Sequence, residues 1–140
     1  VTASDPLDAV QAGLYTLLTG DTALMDLVTG VYDEVPEDAE LDYVRIGDVQ
    51  SSPDNTHGRH GRQLVHTIHT WSRARSSRPG NRIGERLVAL LARNHAALDT
   101  HVAGHAVYLI AHESTQQLRD PEPSIRHRVD RFRIYTAQED

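Results

Sequence analysis

The sequence contains no cysteine among its 140 residues. Disulfides, thiolate metal sites and a cysteine nucleophile are excluded, and the absence fits a reducing compartment. Lysine is missing too: all 14 basic residues are arginine. A GC-rich coding sequence accounts for such a bias. Arginine is also the better interface cation, because its planar fork binds carboxylates bidentately. Aromatics are scarce, with five tyrosines, one tryptophan and one phenylalanine, which leaves little for the exposed stacking platforms that single-stranded nucleic acids need. No run approaches the roughly 20 apolar residues of a membrane span. Residues 1–18 carry Asp5 and Asp8 and no basic side chain, the wrong chemistry for a signal peptide.

What is present suffices for one core. A chain of this length buries roughly two-thirds of the surface its unfolded form exposes, so residues 1–140 are expected to form a single domain. The formal net charge of −6 is unevenly spread. Residues 1–50 hold eleven carboxylates against one arginine, a net of −10, and residues 51–140 hold nine against thirteen, a net of +4. Such asymmetry serves solvation alone or supplies complementary faces for head-to-tail association.

Asp5-Pro6 reads as a helix start, and Leu7, Val10, Leu14 and Leu17 recur at helical spacing until Gly20. Asp21 caps a shorter helix with Leu24, Leu27 and Val28 facing inward, stopped by Gly30. Residues 31–35 form a short strand broken by Pro36, and residues 37–40 an acidic loop. Residues 43–49 alternate as a strand. Residues 51–62 are polar and rich in turn formers, and are expected to make a long, mobile hairpin loop. Residues 64–73 are the clearest strand, apolar on both faces, which predicts a central strand covered on two sides. A basic loop over 74–80 leads into a helix over 81–98. A strand over 104–112, a polar connection over 113–124 and a last strand over 125–135 follow, and the tail 136–140 is expected to fray. The order α-α-β-β-β-α-β-β predicts an α+β fold, a mostly antiparallel sheet with helices packed on one side. Leu14, Leu17, Ile68, Trp71, Leu87, Leu90 and Phe132 are the expected core.

Motifs for chemistry are wanting. The nine histidines have poor ligand spacing: His66 and His69 are three apart on a strand and point to opposite faces. His101 and His105 lack a continuous helix, and His57 and His60 lack a third ligand. There is no HExxH, GxSxG, GxGxxG or GxxxxGK[ST]. No catalytic residue, metal or cofactor is expected. Arg73, Arg75, Arg78, Arg82 and Arg86 form the best phosphate-binding stretch.

The run LDAVQAGLYTLLTGDTALMDLVTGVYDEVPEDAELDYVRIGD at residues 7–48 resembles the tail-completion family of siphophages, the tail terminator or tail-to-head joining proteins. That family's pattern is a first helix, a short second helix, a VYD-x-V-P turn and a strand starting near a tyrosine. These correspond here to Val31-Tyr32-Asp33-Glu34-Val35-Pro36 and Tyr43-Val44-Arg45-Ile46, with Asp42 where the family has proline. HTIHTWSR at 66–73, the helix after Gly80 and RVDRFRI at 128–134 extend the likeness over nearly the whole chain.

The resemblance implies a virion structural protein at the head-proximal end of the tail, assembled in the host cytoplasm. It implies a homo-hexameric ring that caps the tail tube protein, stops its polymerisation and meets the head–tail connector or neck protein. Genomic DNA would pass through without sequence-specific binding, and no membrane is involved. Six domains of about 36 Å diameter in a closed ring leave a lumen of roughly 30 Å, enough for duplex DNA. The loop residues His57, Arg59, His60 and Arg62 are expected to contact the tail tube or line the lumen. Subunit contacts are expected from the acidic Asp33, Glu34, Glu37, Asp38 and Glu40 and the basic Arg73, Arg75, Arg78 and Arg82. Two alternatives stand beside this reading: a neck or head-completion adaptor, and a small nucleic-acid-binding regulator that uses the arginines between 73 and 86.

Overall fold

The computed structural model describes residues 2–139. Its elements run α1 (Leu7–Thr19), α2 (Thr22–Met25), β1 (Gly30–Tyr32), β2 (Tyr43–Pro53), β3 (Gly61–Arg73), α3 (Arg78–Leu91), α4 (His95–Asp99), β4 (His105–Arg119) and β5 (Ile125–Gln138). The strands form one sheet in the order β1-β2-β3-β5-β4, antiparallel throughout except for the parallel β1–β2 pair. The α+β class and the mostly antiparallel sheet are those the sequence pattern predicts.

The helix starts follow local chemistry. The Asp5 carboxylate accepts the Leu7 N–H at 3.0 Å, and Asp21 accepts from the Leu24 N–H at 2.9 Å, so each side chain satisfies an orphan donor of a first turn. On α1 the fully buried row is Val10, Leu14 and Leu18. Leu17 flanks it and is only half-buried. Leu27 is exposed while Val28 is buried, because α2 ends at Met25 and helical spacing no longer applies.

Four segments depart from the sequence reading. Both ends of the expected 51–62 loop are ladder, since Ser51, Ser52 and Pro53 pair with Leu64, Gln63 and Arg62, and the loop itself is confined to residues 54–60. The connection over 113–124 is likewise strand as far as Arg119, leaving a tight turn in which Glu122 N–H meets Asp120 Oδ1 at 3.0 Å. In both places the polar side chains report solvent exposure, while the backbone pairs regardless of what it carries. The helix over 81–98 starts earlier, at Arg78, and breaks after Leu91. There Arg93 adopts φ 54° and Asn94 Nδ2 caps the Leu90 carbonyl at 2.8 Å. The tail does not fray up to residue 138, since Gln138 N–H bonds His60 O and its amide bonds Thr2 O, both at 2.8 Å. Asp140 lies outside the described residues.

Apart from Val129, the sheet's buried apolar side chains fall on one face. Val44, Ile46, Leu64, Ile68, Phe132, Ile134, Val107 and Ile110 meet Val10, Leu14, Leu18, Leu87, Leu91 and Leu98 from the helices. Leu14, Ile68, Leu87, Leu90 and Phe132 are buried as predicted, but Trp71 is half-buried on the opposite face. β3 is central, yet among the described residues no helix covers its second face. The apolar character there has another cause: these side chains shield one another. Trp71 stacks on His127 with ring centroids 3.7 Å apart, and Thr67 and Val129 are buried among longer neighbours.

Candidate functional site

Strand register places the predicted charged groups. Tyr43 pairs with Trp71, and Arg73 with Ile125. The β1–β2 connection, the end of β3 and the β4–β5 turn therefore meet at one end of the sheet. Asp42 Oδ1 accepts the Arg73 N–H at 2.7 Å, and Asp42 O accepts both the N–H (2.7 Å) and the hydroxyl (2.9 Å) of Thr29. Glu40, Leu41, Tyr43, Trp71, Arg73 and Asp120 line an open groove of about 610 Å³ there.

Both predicted sets emerge at this end. Glu34, Glu37, Asp38 and Glu40 are exposed, as are Arg73, Arg75, Arg78 and Arg82. Asp33 is tied back, its carboxylate to Gln11 Nε2 at 3.3 Å and its carbonyl to Arg45 Nε at 3.3 Å. Among the described residues no ion pair joins the acidic set to the basic one. Arg73 instead lies near Glu122, whose carboxyl is held below its ordinary value mainly by hydrogen bonds from Ser124, with Arg73 adding a smaller effect.

The other predicted set sits at the opposite end, roughly 35 Å away along β2. His57 and Arg59 are exposed at a tight hairpin tip, where Thr56 and Arg59 exchange backbone bonds of 3.0 and 3.2 Å and Gly58 takes φ +93°. That left-handed conformation favours glycine. His60 is half-buried and anchored through its carbonyl, and Arg62 is a β3 residue whose Nη1 reaches Ser51 Oγ at 3.4 Å. The four residues therefore do not form one mobile cluster.

Sequence reading missed three arrangements. The first is a row on the open face. His69 Nδ1 lies 2.8 Å from His127 Nε2, and His69 Nε2 lies 3.1 Å from Asp48 Oδ2. Burial, and then the neighbouring His69, lower the His127 pKa to about 4. His66 and His69 do point to opposite faces, and no group of three potential ligands among the described residues could hold a metal ion.

The second is a bidentate pair, Arg86 Nε and Nη2 to Asp21 at 2.8 and 2.7 Å. Arg86, one of the five cations of the phosphate-binding reading, is thus committed inside the chain. Hydrogen bonding from Arg86 holds the Asp21 carboxyl below its usual range.

The third is a buried network around Asp130, which is fully buried. It accepts from Arg128 Nε at 2.9 Å and Thr115 Oγ1 at 2.6 Å, and meets His112 Nε2 at 3.2 Å. Gly84 makes room for it: a Cβ there would lie 2.1 Å from Arg128 Nε. A signal existed, because Asp130 alternates with Phe132 and Ile134 and so shares their inward face.

With this geometry in place, the chain can be compared with known proteins. The family model of tail completion protein gp17 matches residues 12–137. The chain belongs to this family. It is accordingly a structural protein of the tail. No curated protein matches the sequence. Among solved structures, a chain from the virion of a native gene transfer agent particle is 20% identical. The match covers 96% of this chain and 99% of that one, with a TM-score of 0.85. At that identity the likeness establishes a shared fold.

Proposed function

We propose that six copies of the chain, each a single domain over residues 1–140, close into a ring. The ring caps the tail tube at full length, stops further polymerisation and joins the tail to the head connector. The family match over residues 12–137 carries this reading. Two structural features support it. The acidic and basic side chains at one end are exposed and unpaired with each other, as a heterologous ring contact would use them. The hairpin tip with His57 and Arg59 projects from the other end and is free to meet a different partner, the tail tube protein. In this reading the ring works in the virion at the head-proximal end of the tail, is assembled in the host cytoplasm and passes genomic DNA without reading its sequence.

Membership of the same family leaves a neck adaptor as the runner-up. The nucleic-acid regulator is weakened by the Arg86–Asp21 pair and by the acidic net charge. The test is genetic. Particles assembled without the protein should show tails of unregulated length and heads that lack tails. Tails of normal length, with only head attachment lost, would favour the adaptor and overturn the capping role.

A further inference from the structure

Beneath the first turn of α3 the sheet changes character. Cross-strand register places Ser72, Arg126 and Arg119 in one row, and Thr70, Arg128 and Gln117 in the next. Arg128 is neutralised by Asp130. Arg119 and Arg126 stand directly opposite each other, an unfavourable arrangement for like charges. Among the described residues neither pairs with a carboxylate.

The space they line is a cavity of about 200 Å³, lined also by Ser77, Gly80 and Asn81 from the start of α3. Two of its donors lack acceptors. Ser72 is 1% exposed and its hydroxyl has no hydrogen-bond partner. That hydroxyl points at the helix start, since a Cβ on Gly80 would lie 3.3 Å from Ser72 Oγ. Arg126 Nε is buried and equally unpartnered, although its Nη2 donates to Arg75 O. Ser77 gives α3 no side-chain cap, and the first turn holds no acidic residue. Gly80, which lines the cavity, lies in this uncapped first turn at the positive end of a helix dipole.

Buried polar groups in native proteins are nearly all satisfied. Here two unsatisfied ones, Ser72 Oγ and Arg126 Nε, line one space; both are able to donate, and Arg119 and Arg126 bring positive charge to it. A helix N-terminus facing such a space is suited to an anion.

We propose that this cavity is an oxyanion site, sized for a phosphate-like group. Arg119 and Arg126 supply charge, the Ser72 hydroxyl donates from below, and the first-turn N–H groups of α3 donate from above. The cavity is too small for a nucleic-acid duplex, so the anion is either free or carried on a single side chain. This inference does not depend on the ring reading.

The purified protein tests it, with inorganic phosphate titrated against chloride at matched ionic strength. Phosphate should shift the amide resonances of Ser72, Arg78 and Gly80 and raise the melting temperature beyond the chloride control. Ser72→Ala removes a hydroxyl that has no partner in the free protein, so without phosphate it should fold at least as well as the parent. It should nevertheless bind phosphate about tenfold more weakly, as should Arg126→Gln, the loss expected for one charge-assisted hydrogen bond. Acetate separates the sources: a site built for a carboxylate side chain responds to both anions, and one built for a tetrahedral anion to phosphate alone. No response to either anion beyond chloride, or phosphate binding unchanged in Ser72→Ala and Arg126→Gln, overturns the proposal.

Discussion

The two faces of the sheet solve the same problem in different ways. The covered face closes with a second layer: Phe132, Ile134, Leu64 and Ile68 are fully buried against α1 and α3. The open face has no such layer among the described residues and closes laterally. Trp71 lies flat on His127, and Arg133 spans Gln63 and Glu113. One face gains its stability from apolar area removed from water. The other relies on stacked rings and long side chains laid along the surface, contacts worth less per residue and more tolerant of change.

The largest test of this contrast is a matched pair of truncations. Leu87→Ala on the covered side should cost about 2–5 kcal/mol in chemical denaturation, through lost transfer energy and a residual cavity. Trp71→Ala should cost clearly less, since its site opens to solvent. A larger loss for Trp71 than for Leu87 would invert the account of the two faces.

A second test uses protons. His66 lies on the covered face, 1% exposed, and burial lowers its pKa to about 4 from an ordinary 6.5. Between those values the unfolded chain holds a proton that the folded chain refuses. Stability should therefore fall as pH drops from about 6.5 to 4, by on the order of 3 kcal/mol for this group, and His66 should contribute no further loss below that window. His66→Leu should lose this part of the acid slope when unfolding is followed by urea at several pH values. An unchanged slope would show that the imidazole is not held neutral.

A third test addresses the buried polar corner. Gly84→Ala would ordinarily gain about 1 kcal/mol within a helix. Here the Cβ meets a guanidinium pinned by Asp130, so a net loss of about 1–3 kcal/mol is expected. Thermal melts of the single variant and of Gly84→Ala with Arg128→Ala should show partial rescue in the double.

Much of this was legible from the residues alone. Periodicity located α1, the α3 stripe and the strands, because one-sided burial imposes a 3.6 or a 2.0 repeat. It failed where burial does not pattern the chain. The residues of β2 and β4 beyond the core, 50–53 and 113–119, face solvent and look like loop by composition. The break after Leu91 depends on how Leu98 and Val102 must reach α1, a tertiary demand that no local signal carries. The charged sets were visible as sequence runs. Their meeting at one end, and the hairpin's place at the other, follow from strand register. Asp21 is the cap its sequence position predicts and also the partner of Arg86, a contact 65 residues away in sequence.

The smallest expected effects lie in the exposed charges. Rim ion pairs contribute about 0–1 kcal/mol each, but a ring repeats every contact six times. Arg75→Glu with Arg78→Glu should weaken ring formation in sedimentation experiments, and added salt should do the same. Reversing Glu37 and Asp38 to arginine in that chain should partly restore it. Independent losses would show that the two stretches do not face each other across subunits.

The most direct measurement is the native mass of the protein, taken alone and after mixing with purified tail tubes. Six copies in a closed ring are expected, either in free solution or bound at one end of the tube. A protein that stays monomeric with tubes present, or a dimer that binds duplex DNA in a salt-sensitive manner, would contradict it.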